Sequence, residues 1–372
     1  MSIKCQQIIG WIEETAPKFR AENWDNVGLL VGDPTNDINR LLLTLDVTEE
    51  VVEEAIQQDI QLIVSHHPVI FKPLKNLRTD LPQGRLLMQL LKHGISVYSA
   101  HTNWDSARSG VNTILAEKLG LHKIEVLKEN FSEVNYKIVV FVPKGHEDEI
   151  REALALSGAG QIGNYSYCTF QSEGEGTFKP NKLANPYLGE KGSLEKVEEI
   201  RLEAIVSKGN LKRAVTAMLK AHPYEEPAYD LIELANKGES FGLGCIGILS
   251  EEILFEDLIR IVKERLTIAA VRAVGDLTQK VRKIAVCGGS GGDLVEEAKF
   301  KGADVLITGD VSYHQALTAK EQEICVIDAG HYATEFLSME GLAEYLRLKA
   351  EASKKKVDIV ITSIRTDPWR FY

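Results

Sequence analysis

The sequence predicts an α/β protein made of two α/β halves with largely parallel sheets, interrupted by a ferredoxin-like α+β insert. Three observations carry that reading. Short runs of leucine or β-branched residues alternate with amphipathic helical stretches over residues 40–119, the same alternation returns over 284–363, and the stretch between them follows a different order. Strands separated by helices signal βαβ units, whose parallel sheets are covered on both faces.

In chain order, residues 1–19 place Ile8, Ile9, Trp11 and Ile12 among Gln, Glu and Lys, the pattern of an amphipathic helix. The first half then runs strand 41–45, helix 48–58, strand 62–64, helix 83–93, strand 95–99 and helix 111–119. Thr48, ahead of Glu49 and Glu50, marks a helix start, because its hydroxyl suits the unpaired N–H groups of a first turn. The last third repeats the rhythm with strand 284–287, helix 293–301, strand 305–308, helix 312–320, strand 324–328, helix 333–350 and strand 357–363. Between the two come strand 136–142, helix 147–157, a Gly/Ser/Thr/Tyr-rich stretch over 158–177, a polar segment over 178–193, strand 201–207, helix 211–221 and strand 229–234. That order is close to β-α-β-β-α-β, a ferredoxin-like unit able to fold by itself. The expected boundaries are 1–128, 129–248 and 249–372.

With 372 residues, 44% of them hydrophobic, the chain is long enough for two or three cores. Its net charge of -11 argues against nucleic acid as a partner, since affinity for a phosphate backbone comes mainly from Lys and Arg releasing counterions. No stretch approaches the roughly 18 apolar residues of a membrane span. The amphipathic start lacks the basic and apolar segments of a signal peptide. Cys5, Cys168, Cys245, Cys287 and Cys325 stand singly, without the paired spacing of a zinc knuckle or a redox dithiol. The expectation is a soluble cytoplasmic protein in which any metal is bound through nitrogen and oxygen.

The chemistry gathers at three strand ends, where open parallel sheets place their ligands. Strand 62–64 leads into Ser65-His66-His67-Pro68. Neighbouring side chains on extended backbone point apart, so two adjacent imidazoles suit two metal ions better than one. Strand 95–99 leads into Ala100-His101-Thr102-Asn103-Trp104-Asp105, and strand 324–328 into Ala329-Gly330-His331-Tyr332-Ala333-Thr334-Glu335. In both, a histidine precedes a carboxylate by four residues, and on a helical turn such a pair shares one face. Imidazole and carboxylate without thiolate suit zinc, manganese, iron or cobalt. Glu335 is the candidate bridging carboxylate between two ions.

These segments, together with Asn23-Trp24-Asp25-Asn26-Val27-Gly28-Leu29, Cys287-Gly288-Gly289-Ser290-Gly291 and Thr308-Gly309-Asp310, resemble the Nif-three-like family, whose bacterial members are often called GTP cyclohydrolase 1 type 2 homologues. The resemblance implies a single Nif-three-like unit built from both α/β halves. It implies two divalent ions held by His66, His67, Asp105, His331 and Glu335, with zinc, manganese or iron as the metal and zinc favoured. His101 is then left beside the ions as an acid–base group, and His101 and Glu335 become the candidate catalytic residues. A homohexameric ring built from trimers is implied too. Ala221-His222-Pro223-Tyr224-Glu225-Glu226-Pro227 looks like the signature of CutA and PII-like trimeric domains, which makes a trimer-contact turn a better reading than a second metal site for His222, Glu225 and Glu226.

Weaker signals are read more plainly. Cys287-Gly288-Gly289-Ser290-Gly291-Gly292 suits either a phosphate cradle or a close-packing turn, Asp310 a helix cap, and Trp24 and Trp104 either stacking on a planar substrate or packing beside the site. The function expected is metal-dependent hydrolysis of a small nucleotide-like or phosphorylated substrate. The alternative is a non-catalytic regulatory or metal-handling scaffold.

Overall fold

The apolar runs of the first half become strands buried on both faces. In the computed structural model, which describes residues 2–370, Arg40–Thr44, Leu62–Ser65 and Ser96–Ser99 lie side by side in parallel. Asp358–Ile361 joins in parallel beside Arg40–Thr44, and Gly28–Val31 closes the other edge antiparallel to Ser96–Ser99, which makes a five-stranded sheet. Successive strand residues face opposite sides. Leu41, Leu43, Val64 and Tyr98 therefore pack with Ile8 and Ile12 of helix Cys5–Thr15 and with Leu342 and Leu346 of helix Leu337–Ala352. Leu42, Ile63 and Val97 face the other way, against Leu87 and Leu90 of helix Pro82–Lys92. Burying each large aliphatic side chain contributes about 1.5–3 kcal/mol.

A second sheet is built mainly from the last third. Its order is Arg272–Val274, Cys325–Asp328, Val305–Gly309, Lys280–Ser290 and the C-terminal part of Tyr229–Leu254, with strand His122–Pro143 beside the last of these. Lys280–Ser290, Val305–Gly309 and Cys325–Asp328 are parallel, and Arg272–Val274 and Tyr229–Leu254 run antiparallel to Cys325–Asp328 and Lys280–Ser290. Ile284, Val286 and Ile307 pack on one side and Ala285, Leu306 and Val326 on the other. Both sheets belong to one compact unit, Met1–Phe131 with Phe241–Tyr372. The pairing of Asp358–Ile361 with Arg40–Thr44 means that the end of the chain completes the sheet begun by its first half.

Five elements differ from the sequence reading. The first helix is shorter than residues 1–19, spanning Cys5–Thr15, because Pro17 drives Ala16 out of helical geometry; Ile3–Lys4 instead pairs with Asp37–Ile38. The helix expected over 333–350 is two pieces, His331–Glu335 and Leu337–Ala352. Short or edge strands Gly28–Val31 and Arg272–Val274 and helix Phe255–Arg265 went unread, the strands being too brief for a periodic pattern.

Ser132–Ser240 forms the other compact unit. It takes the end of strand His122–Pro143, helix Glu147–Leu156, strands Thr169–Phe178 and Glu195–Ser207, helix Lys208–Ala221 and the start of strand Tyr229–Leu254. In space the strands follow the order fourth, first, third, second, and the third pairs antiparallel with both the first and the second. Ile138, Val140, Leu202 and Ala204 pack against Ile150 and Leu154 of one helix and Ala214 and Met218 of the other.

Candidate metal centre

Sheet hydrogen bonding carries on just past Leu62–Ser65: the N–H groups of His66 and His67 donate to the carbonyls of Thr44 and Leu45. The Ser65 hydroxyl donates to the His67 carbonyl and pins the turn that turns both rings to one region, 5.1 Å apart. His331 and Glu335 occupy a single helical turn, His331–Glu335, entered through Gly330 at φ 85, and their side chains meet at 3.0 Å. Asp105 ends the short helix Thr102–Asp105.

These residues form two sets of donor atoms that share Glu335. Oε2 of Glu335 lies 3.2 Å from Nε2 of His67 and 3.0 Å from Nε2 of His331, and the two imidazole nitrogens are 3.3 Å apart. Oε1 of Glu335 lies 3.7 Å from Nε2 of His66, which is 3.5 Å from Oδ1 of Asp105. Donors about 2.0–2.1 Å from one tetrahedral ion stand about 3.4 Å apart, so both sets have the spacing of metal ligands.

Three of the donor atoms are also unsatisfied by the protein. Nε2 of His66, Oδ1 of Asp105 and Oε2 of Glu335 are buried without a hydrogen bond of acceptable geometry. A buried polar atom left this way costs about 1–3 kcal/mol unless something else meets it. Cationic ligation meets all three at once, so the donor set fits a pair of divalent ions. Among the described residues no group of donors includes a cysteine, and burial beside Asp105 and Glu335 pushes the Cys287 thiol up, keeping it protonated.

Every ring is aimed through its other nitrogen. Nδ1 of His66 bonds the Ala100 carbonyl at 2.9 Å, Nδ1 of His67 the Asp46 carboxylate at 2.7 Å, and Nδ1 of His331 the Asp310 carboxylate at 2.7 Å. A proton fixed on Nδ1 means that Nε2, once deprotonated, presents its lone pair inward, as metal-bound histidines require. Asp46 is held in turn by the Thr366 hydroxyl at 2.6 Å. Asp310 therefore orients His331, and the helix cap expected of it is supplied by Ser312, whose hydroxyl accepts from the Gln315 N–H.

Charge is strongly redistributed among these groups. Burial opposes a proton on His67, but the carboxylates of Asp46 and Glu335 outweigh it and push the ring up to about 10. His331 is likewise disfavoured by burial and raised to about 9 by Glu335 and Asp310. Burial pushes Asp105 up to about 7 despite His66 nearby. Burial would raise Glu335 as well, yet the His66, His331 and His67 rings hold it well below the usual carboxylate range.

His101 sits apart from this pattern. It precedes the helix Thr102–Asp105 with ψ -109, outside helical geometry, so it does not share a face with Asp105, and no donor group contains both. It groups with His66 and His67 instead. Its Nδ1 bonds Asp25 at 2.9 Å, and Asp25 also accepts from the backbone N–H and hydroxyl of Thr102. Burial raises the Asp25 carboxyl, but His101 and Thr102 bring it down to about 2. Trp24 and Phe71, 60% and 45% exposed, flank the His101 ring at 6.0 and 6.4 Å.

The fold thus gathers His66, His67, His101, Asp105, His331 and Glu335 at one place. It separates the two tryptophans: Trp104 is 1% exposed and belongs to the core, whereas Trp24 faces solvent. The glycine run proves to be a packing turn. A Cβ on Gly289 would lie 2.1 Å from Oε1 of Glu335, so glycine leaves room for the carboxylate. His314 is exposed on its helix. Sequence reading missed Asp25, Asp46 and Asp310 as orienting carboxylates. Asp46 and Asp310 each follow a strand end, and that position was the available signal.

The sequence profile of the family described as Duf34/NIF3 (NGG1p interacting factor 3) matches residues 3–368. A GTP cyclohydrolase 1 type 2 homolog from Halalkalibacterium halodurans is 46% identical over 98% of each chain. One of the same name from Bacillus subtilis is 43% identical over 100% of this chain and 99% of its own. Among solved structures, a Bacillus cereus protein related to NIF3 superimposes with a TM-score of 0.94 at 44% identity over 100% of both chains. A Staphylococcus aureus protein gives 0.77 at 33% identity over 100% and 99%. Across its whole length, the chain belongs to the Duf34/NIF3 family.

Proposed function

We propose that the protein is a dinuclear metal-dependent hydrolase acting on a small nucleotide-like or phosphorylated molecule. The observation that carries this reading is Glu335, whose two oxygens each face a separate set of donors. His66, Asp105 and Glu335 would hold one ion and His67, His331 and Glu335 the other, with zinc, manganese or iron suited to the nitrogen and oxygen donors. A bound pair of divalent ions supplies Lewis acidity and a water of lowered pKa. His101, fixed by Asp25 at Nδ1, is placed to accept or return a proton at Nε2. Trp24 and Phe71 offer exposed ring faces beside it for a planar group.

The name shared by the relatives from Halalkalibacterium halodurans and Bacillus subtilis makes GTP ring opening the first reaction to test. A homohexamer assembled from trimers and a cytoplasmic location belong to the same proposal, as does a CutA/PII-like character for Ser132–Ser240. The test is purified protein loaded separately with manganese, zinc or iron and offered GTP and a panel of phosphoesters. Turnover that disappears in Glu335→Gln while the oligomer persists supports the enzyme. No turnover with any metal, together with tight reversible metal exchange, sinks it in favour of a metal-handling scaffold.

A further inference from the structure

The unit Ser132–Ser240 holds a cavity of about 260 Å³ that the metal chemistry does not use. Its walls include Phe178, Tyr187, Tyr224, Glu199, Glu225 and Glu226. The rings stand as walls and are not stacked on one another: Phe178 and Tyr224 are 5.9 Å apart at 61°, and Tyr187 and Tyr224 are 6.3 Å apart at 50°. Aromatic faces left open in this way carry negative potential.

The arrangement is fixed before any ligand arrives. The Tyr224 hydroxyl donates to the Glu199 carboxylate at 3.2 Å. Its backbone N–H donates to Nδ1 of His222, whose Nε2 donates to the Phe141 carbonyl. Both nitrogens of His222 are thereby engaged, and burial lowers its pKa, so it acts as a neutral strut and not as a metal ligand. Tyr187 is held by the His146 ring edge-on at 5.6 Å, with Nε2 of His146 3.1 Å from its hydroxyl. Gly176 makes room for Glu199, since a Cβ there would lie 2.1 Å from Oε2 of that carboxylate.

Charge decides what fits. The lining holds three carboxyl residues, Glu199, Glu225 and Glu226, against one lysine, Lys179, so its formal charge disfavours anions. A phenol that donates to a carboxylate has a more electron-rich ring, which strengthens its attraction for a cation. We propose that this cavity binds a small organic cation, an ammonium or guanidinium group, between Phe178, Tyr187 and Tyr224 and beside the carboxylate of Glu199. The site is independent of the metal centre and goes beyond the hydrolase reading.

The test is calorimetric titration of the full-length oligomer with choline, with agmatine and, as an anionic control, with ATP. Expected is saturable uptake of one cation per chain, weakened about tenfold or more in Tyr187→Ala and in Glu199→Gln. Tyr187 is 52% exposed, so its variant keeps the fold, and an unchanged metal content and oligomer size check both variants. No saturable uptake of either cation, as when a neighbouring copy fills the cavity, overturns the proposal. So does uptake undiminished in both variants, or ATP taking the site in preference to the cations.

Discussion

The two donor sets that share Glu335 are built differently. In the inner set the His66 side chain is 0% exposed and Asp105 15%, and His66 is oriented by a neutral carbonyl. In the outer set His67 and His331 are 26% and 33% exposed, and both are oriented by carboxylates. A carboxylate on Nδ1 makes an imidazole a stronger base and a stronger ligand. The inner set therefore relies on burial, and the outer set compensates for exposure with charge. In the proposed reaction, substrate would approach the outer set, the more exposed of the two.

Breaking the shared element has the largest effect. A Gln at 335 offers one carbonyl oxygen and one NH₂, so Glu335→Gln loses an ion outright and weakens the other on the order of 100-fold, read as metal content after dialysis. The single-set variants divide the pair: His67→Ala leaves the inner ion and His66→Ala the outer one. Of the two, His66→Ala lowers the thermal midpoint more, since it opens a cavity at a fully buried site. Loss of both ions in either variant would mean that the sets are not separable.

Orientation comes next in size. Asp46→Asn and Asp310→Asn weaken the outer ion about 10–100-fold and leave the inner one in place, measured by competition with a chromophoric chelator. Equal weakening of both ions would refute the division of labour. Asp25→Asn is expected to leave both ions bound and to affect only turnover, because Asp25 touches His101 and none of the proposed ligands through its hydrogen bonds.

The pH dependence sharpens the contrast further. In the metal-free protein the carboxylates of Asp46, Glu335 and Asp310 push His67 up to about 10 and His331 up to about 9, above the ordinary imidazole value, so each ring favours its proton at pH 7. Their contribution to metal-free stability is complete below the ordinary value and is lost as pH rises through about 9 and about 10. Metal must displace those protons, so uptake releases protons and affinity falls as pH drops. Calorimetry in two buffers of different ionisation enthalpy reads the release, and its absence would contradict the outer set as drawn.

Much of this arrangement was legible because two periodicities coincided with chemistry. Strands such as Leu62–Ser65 announce themselves as apolar runs, and His66 and His67 stand where such a strand must end. His331 and Glu335 share a helical face, so spacing alone paired them correctly. The same rule misread His101 and Asp105, because His101 lies just outside its helix and is held by Asp25, distant in sequence. The orienting roles of Asp46, Asp310 and Thr366 were hard to read for a similar reason, a place just past a strand end being the one signal that marked the two aspartates. Their roles depend on which strand ends become neighbours, and in the first sheet a strand from the chain's last segment, Asp358–Ile361, supplies one neighbour.

Anomalous scattering from crystals of the metal-loaded protein tests the central claim most directly. The account predicts two peaks about 3.5–4 Å apart, one among His66, Asp105 and Glu335 and one among His67, His331 and Glu335. A single peak, or a peak ligated by His101 in place of Glu335, would contradict it.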